Sequence, residues 1–350
     1  MYRFNYRQLC TTLIISVIMS LLVGMPALAQ QDEDANQGAG LSYEVISAYP
    51  EPNITQLYAN DNLVNDRIYR RVEGSMQIHD APNGNITGAI DAGFNFITVY
   101  STQGDWVEIS QGRWVHQSSF NNEVALSNFG GILLPEDGLP YTVAWILVNT
   151  FPSSEPGGEP NEANPLQFRY TTVNIYDSVE IDGWEWFQIG VDQWVHQTLV
   201  ARVLPVERFE EVDSERWVSV DLYEQVVIAY EGNTPIFATL ISSGLSAWST
   251  NEGLFNIYVR YERTVMSGAN GQPDFYYLEE VPWTMYFDQD IALHGAYWHD
   301  GFGYRRSHGC VNMSITDAHW LYQFTAPEFD FTVDNDLGAA VYVYSSGDYR

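Results

Sequence analysis

Apolar and polar residues alternate with a period of two over short stretches separated by Gly-containing turns, which is the pattern of half-buried β-strands and hairpins. In the last third of the chain this pattern predicts two strands within residues 217–230, a third over residues 236–242 after a turn at Gly232, and a closing strand over residues 339–344. Aromatic residues make up 15% of the chain and also favour strands. We therefore predict a mainly β protein.

A helical pattern is persuasive in one segment only. Ser314 and Asp317 have the spacing of a capping box, and they precede an apolar run over residues 318–324 whose Leu321 and aromatic side chains can face a core. We therefore predict that the strand-rich C-terminal part carries one or few helices.

Two segments repeat one pattern at an offset of 80 residues. The shared anchors are Trp106 and Trp186, Ile109 and Ile189, Trp114 and Trp194, and His116 and His196. The hairpin pattern around each set predicts a small β-barrel with its Trp residues in the core, and the motif resembles bacterial Src-homology-type barrels. The alternative for the Trp residues is a platform for carbohydrate or peptide. We interpret the two His residues as part of the repeat structure.

The predicted organisation has five parts. They are a signal peptide over residues 1–29, a tether over 30–66, barrel-like repeats over 67–122 and 139–205, and a strand-rich domain over 213–346. The stretch rich in Pro, Gly and Glu at residues 152–165 is predicted to be an exposed loop, because it cannot bury a core.

The N-terminus has the features of an export signal. Arg3 and Arg7 precede an apolar run over residues 13–23, and Ala27-Leu28-Ala29 has the small-x-small pattern of a cleavage site. We predict export to the cell wall or extracellular space, or to the periplasm where a second membrane is present. An uncleaved anchor is the alternative, although a bilayer span needs about 20 apolar residues. No later segment is predicted to span a membrane.

The charge of the chain is strongly acidic. Asp and Glu number 45 against 15 basic residues, all of them Arg, and the formal net charge is −30. Such a surface repels phosphate backbones and anionic lipid headgroups. The composition therefore argues against nucleic acid as a partner.

The cysteine content indicates either intermolecular pairing or a reactive thiol. Cys10 lies in the predicted signal peptide, so Cys310 would have no partner for an internal disulfide after cleavage. Composition alone does not distinguish the two outcomes.

The segment of residues 294–313 combines Cys310 with three of the seven His residues. A thiol becomes a good nucleophile as a thiolate, which an imidazole, a positive field or a helix N-terminus stabilises. All three are predicted nearby: an imidazole from His294 or His308, positive charge from Arg305 and Arg306, and the start of the predicted helix. We therefore predict a thiol with a lowered pKa.

The residues that flank this thiol are predicted to form the rest of the site. Gly309 permits a close backbone approach, and the amides of Gly309 and Cys310 are predicted to stabilise an oxyanion. The predicted substrate-binding residues are Arg305, Arg306, Ser307 and Asn312. We interpret His299 and His319 as surface or packing residues.

The motif Ser-His-Gly-Cys-Val-Asn at residues 307–312, preceded by His294-Gly295, resembles the signature of the L,D-transpeptidases, and the resemblance covers about residues 213–345. It implies that Cys310 is the nucleophile, that His294 is the general base and that the carbonyl of Gly295 orients it. It further implies that His308 and Asn312 support the nucleophile loop. Two departures are Asn251, where the family usually has Pro, and a short spacing between His294 and Ser307.

The activity that the resemblance implies is acyl transfer on peptidoglycan stem peptides without a metal or organic cofactor. Cys310 would cleave the L-to-D bond of a tetrapeptide stem, form a thioester and pass the acyl group to an amine of another stem. Carbapenems would acylate the same thiol. Three alternatives stay open: a zinc site made from His294, His308 and Cys310, an L,D-carboxypeptidase with water as acceptor, and a wall-binding protein without catalysis.

Overall fold

Strands dominate the residues that the computed structural model describes, which are 48–328 and 337–348. The first strands in chain order are β1 (Thr55–Gln56), β2 (Ile68–Val72), β3 (Met76–His79), β4 (Ile86–Ile90), β5 (Phe94–Val99), β6 (Ser101–Gln103), β7 (Trp106–Ser110), β8 (Arg113–His116) and β9 (Phe120–Glu123). The next are β10 (Ile132–Leu133), β11 (Thr142–Ile146), β12 (Thr172–Ile175), β13 (Asp177–Ile181), β14 (Trp184–Gly190), β15 (Gln193–His196) and β16 (Val200–Arg202).

The C-terminal strands are β17 (Arg216–Asp221), β18 (Val226–Glu231), β19 (Thr234–Leu240), β20 (Gly253–Asn256), β21 (Val259–Gly268), β22 (Tyr276–Asp288), β23 (Ile291–Gly295), β24 (Val311–Met313) and β25 (Ala340–Tyr344). The helices are α1 (Asp61–Val64) and α2 (Ile315–Thr325), with 3-10 turns at Gln117–Ser119, Gln197–Leu199, Ser246–Trp248 and Ala326–Glu328. The predicted mainly β fold with few helices is confirmed.

The strands form five sheets within the described ranges. One seven-stranded sheet has the order β1-β10-β19-β18-β17-β25-β20, and the second has the order β24-β23-β22-β5-β2-β9, with β21 also pairing with β22. The smaller sheets have the orders β4-β3-β8-β7-β6, β12-β11-β16 and β13-β14-β15. The second large sheet positions the candidate site, because it joins strands from both halves of the chain.

The strands of the two predicted barrels lie in open sheets, and no closed barrel occurs in the described part of the chain. In the first repeat, β5 pairs in parallel with β22, with Phe94 opposite Tyr276 and Phe96 opposite Leu278. The pairing satisfies backbone hydrogen bonds that would otherwise be exposed at the edge of β5. A strand of the repeat thus finds its partner outside the repeat.

The repeat Trp residues differ from the predicted core positions. Val107, Ile109 and Val115 are buried in the first hairpin, whereas Trp106 and Trp114 are half-buried. The reason is the strand period of two, which places Val107 and Ile109 on the inner face and Trp106 on the other. In the second hairpin Phe187 and Val195 are buried, the Trp residues are again half-buried, and Ile189 is half-buried, unlike its counterpart Ile109.

The His residues of the two hairpins cap the 3-10 turns that follow them. Nδ1 of His116 accepts from the amide of Ser118, and Nδ1 of His196 accepts from the amide of Thr198, both at 3.3 Å. The Trp106 ring packs edge-on against His116 with ring centroids 5.3 Å apart, and Trp186 packs in the same way against His196 at 5.2 Å. These residues therefore have local structural roles, and the division into barrel repeats stays a prediction.

Helix α2 begins where the capping pattern predicted. Oγ of Ser314 accepts from the amide of Asp317 at 3.1 Å. The carboxylate of Asp317 does not complete the box but accepts from the amide of Gly131 at 2.9 Å and from Oγ1 of Thr239 at 2.6 Å. Burial raises the pKa of Asp317 to about 6. This side chain ties the helix to the first large sheet.

The predicted domain boundaries stay predictions, although the fold adds facts about them. Residues 1–47, with the predicted signal peptide, lie outside the described residues. Within the predicted tether, β1 pairs with β10, and the amide of Asn60 beside α1 donates to Oγ1 of Thr316 at 2.9 Å. The described residues from Glu51 onward belong to one compact unit. None of the described helices is long and apolar enough to cross a membrane.

Candidate active site

A pair of short parallel strands brings the predicted catalytic residues together. β23 and β24 pair in register, with His294 opposite Asn312 and Gly295 opposite Met313. Cys310 immediately precedes β24, so the ladder places it close to the residues at the start of β23. The backbone packs closely at Gly295, where a Cβ atom would lie 3.0 Å from Cγ of Pro282 and 3.2 Å from Cα of Ile315.

A cavity of about 640 Å³ opens at this ladder. We call the lining residues His294, Trp298, His299, Cys310 and Asn312 the catalytic wall. We call the lining residues Gly93, Phe94, Phe275 and Tyr276 the junction wall, because they lie where β5 meets β22. Arg305, Arg306, Ser307 and His308 complete the predicted residues in the lining.

His294 is oriented as a general base requires. Its side chain is buried, and Nδ1 lies 3.1 Å from the carbonyl oxygen of Gly295. Since a carbonyl only accepts, Nδ1 carries the hydrogen and Nε2 keeps its lone pair. Burial lowers the pKa of His294 to about 4, against a weaker opposing effect of the Gly295 hydrogen bond. The imidazole is therefore neutral at physiological pH.

The Cys310 thiol differs from the prediction. Cys310 is half-buried, and Sγ lies 3.6 Å from the carbonyl oxygen of Asp290. Burial raises the pKa of the thiol to about 11; a backbone hydrogen bond from Ala292 lowers it, and the charge of Asp290 adds to the rise. The predicted lowering of this pKa is wrong for the free site, which holds a neutral thiol beside a neutral imidazole.

Neither the two Arg residues nor the start of the helix is a cause of the thiol pKa, which burial, the backbone hydrogen bond from Ala292 and the charge of Asp290 determine. Nε of Arg306 donates to the carbonyl of Gly301 at 3.2 Å. Helix α2 begins at Ile315, and β24 separates it from the thiol. Sequence proximity therefore overestimated the positive field at the sulfur.

The side chain of Ser307 holds the nucleophile loop through two hydrogen bonds to backbone groups of the same loop. Its Oγ donates to the carbonyl of Cys310 at 2.5 Å and accepts from the amide of Gly309 at 3.1 Å. The amide of Gly309, predicted as an oxyanion donor, is thus engaged by Ser307 in this structure. Gly309 has a φ of 118°, a conformation that strongly favours glycine. Ser307, predicted to bind substrate, is buried and holds the loop, although it also reaches the cavity lining.

His308 packs between two aromatic rings at the cavity edge. Its ring lies 4.3 Å from that of Trp248 and is stacked at 5.1 Å on that of Tyr276. Its Nε2 lies 3.9 Å from Oδ2 of Asp274. These contacts fit a supporting role for His308, while its catalytic relevance stays a prediction, as do the substrate-binding roles of Arg305 and Arg306.

Two groups of cavity residues were missed by sequence reasoning. His299 was interpreted as a surface or packing residue, but it lines the cavity with Nε2 only 3.0 Å from Nδ2 of Asn312. The junction wall was missed as well, because Phe94 lies far from Cys310 in sequence. The charge of Cys310 contributes to raising the pKa of Tyr276 to about 12, after the larger effect of burial. The crowding of His residues in 294–313 was the available signal for His299; none existed for Phe94.

The zinc alternative finds no support in the geometry. Among the described residues, no group of three His, Cys, Asp or Glu side chains is arranged to hold a metal ion.

The comparisons with known proteins agree with the geometry. Residues 215–343 match the model of the YkuD family, described as an L,D-transpeptidase catalytic domain. The resemblance to the L,D-transpeptidases is therefore confirmed for residues 215–343, which are similar to the YkuD catalytic domain. Residues 51–214 of the compact unit lie outside the matched segment.

Particular relatives cover part of the chain. "Putative L,D-transpeptidase YciB" of Bacillus subtilis (strain 168) is 30% identical over 122 residues, which are 31% of this chain; the chain spans 59% of that relative's length. The catalytic domain of an Enterococcus faecium L,D-transpeptidase is 23% identical, with 37% of this chain and 98% of that chain covered and a TM-score of 0.30. Mycobacterium tuberculosis L,D-transpeptidase 3 in complex with a faropenem-derived adduct is 16% identical, with 46% of this chain and 67% of that chain covered and a TM-score of 0.32.

Proposed function

We propose that this protein is an exported cysteine L,D-transpeptidase that remodels the cell wall. In this proposal, Cys310 cleaves the L-to-D bond of a peptidoglycan tetrapeptide stem and holds the acyl group as a thioester. An amine of another stem then accepts the acyl group. The observation that carries the proposal is that the Cys310 thiol and the imidazole of His294, both within the YkuD-matched segment, line one cavity.

The orientation of His294 supports the direction of proton transfer. The Gly295 carbonyl fixes the hydrogen on Nδ1, which leaves Nε2 to accept the thiol proton as Sγ attacks the carbonyl carbon of the third stem residue. The C–N bond to D-Ala then breaks, and the imidazolium returns the proton to the departing amine. The acceptor amine repeats these steps in reverse order: it attacks the thioester, gives its proton to His294, and releases the thiol.

The pKa values support activation on substrate binding. With the thiol pKa raised to about 11 and the imidazole pKa lowered to about 4, the free cavity does not hold a stable ion pair. The proton therefore moves during the attack, when charge is passing to the carbonyl oxygen of the substrate. A neutral resting thiol is also less open to oxidation in an exported protein.

The decisive experiment is mass spectrometry of the intact protein with a disaccharide tetrapeptide. We expect an adduct of the acyl stem without D-Ala on the wild type, and none on Cys310→Ala. Exposure to a carbapenem should likewise add one equivalent at Cys310. A wild-type protein that forms neither adduct, although folded, would leave a wall-binding protein as the surviving interpretation.

Product analysis separates transfer from hydrolysis. With a second stem as amine acceptor, we expect a cross-linked dimer and free D-Ala. Tripeptide as the sole product, with or without the amine, would replace the transpeptidase by an L,D-carboxypeptidase that uses the same thiol.

A further inference from the structure

Two backbone bridges hold the loop that carries Cys310 against a neighbouring segment. Ser242 bridges Asn312, and Gly244 bridges Ser307, so the two contacts lie on either side of Cys310 in the chain. The neighbouring segment continues through the 3-10 turn before β20. The backbone path around the thiol is therefore set by residues more than sixty positions earlier in the sequence.

The hydroxyl of Thr250 joins these two segments and has a fixed direction. Thr250 is 4% exposed, and its Oγ1 accepts from the amide of Gly244 at 3.0 Å. The same hydroxyl donates to the carbonyl oxygen of Gly309 at 2.7 Å. Because an amide only donates and a carbonyl only accepts, the two partners determine where the hydroxyl hydrogen points. The carbonyl of Gly309 is therefore held on the side of Thr250.

Holding this carbonyl also fixes the amide of Cys310, because both groups belong to one peptide unit. The peptide is trans and planar, so its C=O and its N–H point in opposite directions. The N–H of Cys310 thus points away from Thr250. Thr250 is buried outside the cavity lining, whereas Cys310 lies in the lining. The contact with Thr250 therefore turns this N–H towards the cavity.

The amide of Cys310 is the donor that the Gly309–Cys310 backbone leaves open. Oγ of Ser307 already accepts from the amide of Gly309 and donates to the carbonyl of Cys310. Within the described ranges, no backbone carbonyl accepts from the amide of Cys310. An unpaired N–H next to the attacking sulfur lies where the oxygen of a tetrahedral intermediate becomes negative.

We propose that Thr250 is a positioning residue that aims the amide N–H of Cys310 into the cavity, where this N–H stabilises the oxyanion that forms when Sγ attacks an acyl donor. The inference deepens the proposed function and rests on it for the identity of the donor. Thr250 touches no substrate and acts through the Gly309–Cys310 peptide. Its effect is therefore confined to steps in which negative charge develops on a carbonyl oxygen.

The test compares two reactions of the same thiol. In acetylation by p-nitrophenyl acetate, Sγ bonds to the acetyl carbon through an oxyanion, p-nitrophenolate leaves, and the thiol proton passes to His294. In alkylation by iodoacetamide, Sγ displaces iodide from a CH₂ group and no oxyanion forms. We expect Thr250→Val to slow acetylation about 30-fold and to leave alkylation within about twofold, since loss of an oxyanion donor lowers rates by about 10² to 10³-fold.

Two further variants separate positioning from packing. Thr250→Ser keeps the hydroxyl and should be acetylated within about threefold of the wild-type rate. Thr325→Val is the matched control, because it removes a buried hydroxyl that donates to the carbonyl of Leu321 at 2.9 Å outside the cavity lining; both rates should stay unchanged. Cys310→Ala gives the background of both reactions. Equal losses of acetylation and alkylation in Thr250→Val, or no recovery in Thr250→Ser, would overturn the proposal.

Amide hydrogen exchange in the wild type keeps the proposal falsifiable should Thr250→Val fail to fold. Acetylation of the thiol should make the amide of Cys310 at least about tenfold slower to exchange, whereas the amide of Gly309 should be protected throughout. Equal exchange of the Cys310 amide before and after acetylation would overturn the proposal. Neither reagent is a stem peptide, so the expected rates in a protein inactive on stems would support this inference and place the fault in the proposed reaction.

Discussion

The two walls of the cavity are built in different ways. The catalytic wall comes from one short stretch of chain, in which the β23–β24 ladder aligns His294 with Asn312 and both residues are buried. The junction wall needs β5 to pair with β22, and its Phe94 ring is 41% exposed. Buried, hydrogen-bonded groups suit chemistry, whereas exposed rings suit contact with a ligand. The comparison suggests a division between catalysis and recognition.

Gly93 shows how closely the junction is fitted. A Cβ atom at this position would lie 2.3 Å from the carbonyl oxygen of Phe275. The next amide, that of Phe94, donates to the same carbonyl at 2.9 Å. The Phe94 ring is therefore held by a backbone contact and packs edge-on against Phe96 with ring centroids 4.9 Å apart. A segment outside the matched family domain thus contributes a fixed part of the cavity.

The largest expected effect comes from the catalytic wall. Cys310→Ala should lower kcat/KM for stem transfer by about 10³-fold or more, because Cys310 supplies the thiol that lines the cavity and would carry the thioester. Thermal unfolding should change little, since Cys310 is half-buried and Ala fits its space. Comparing turnover with the unfolding midpoint checks both. Residual cross-linking at more than about 1% of the wild-type rate would remove Cys310 from the mechanism.

Replacing His294, the proposed base, should lower the rate of stem transfer less than replacing Cys310, the proposed nucleophile. His294→Gln should lower kcat by about 10² to 10⁴-fold, the usual contribution of general base catalysis, with a smaller change in KM. Steady-state kinetics with a stem donor give the comparison. Equal effects on kcat in His294→Gln and in the control His319→Gln would assign the loss to general destabilisation.

The raised thiol pKa predicts a steep pH dependence of alkylation. Because the folded pKa of Cys310 is about 11, the thiolate fraction should grow about tenfold per pH unit from pH 7 to 10. The second-order rate of reaction with iodoacetamide, followed by intact mass, should therefore rise about 100-fold between pH 7 and 9. A rate that is already level at pH 7 would show that the free site holds an ion pair.

The smallest effect is expected at the junction wall. Phe94→Ala should raise KM for the stem donor about fivefold with kcat within twofold, since a partly exposed ring contributes modest binding energy. Phe168→Ala is the matched control, because Phe168 is exposed by 60% and lies outside the cavity lining. A drop in kcat with unchanged KM would assign Phe94 to the chemical step. It would contradict the assignment of catalysis to the catalytic wall and of substrate recognition to the junction wall.

Much of the C-terminal domain was predictable because its determinants are local. The predicted strands within 217–230, 236–242 and 339–344 correspond to β17, β18, β19 and β25, and Ser314 caps α2. Period-two alternation and capping depend on neighbouring residues, which the sequence lists directly. The repeat hairpins were predictable for the same reason, but the side that their Trp residues face was not.

The candidate site likewise has features that the sequence predicted and features that it did not. The grouping of His294 with Cys310, and the contact of His294 with Gly295, followed from a motif that spans fewer than twenty residues. The thiol pKa did not, because burial of the sulfur outweighs the nearby charges that the sequence displays. The place of His299 in the cavity lining and its contacts with Asn312 and Gly301 exist only in the folded protein.

The sequence by itself determined which candidate reactive groups are available, since the pairing of β23 with β24 brings together a thiol, an imidazole and a carbonyl from one short stretch of chain. The tertiary structure alone decided the environment of that chemistry. It half-buried Cys310, placed Asn312 against His299, and brought Phe94 beside Tyr276 by pairing strands that lie far apart in the chain. Burial and long-range pairing depend on the packing of the whole unit, and no local pattern of residues specifies them.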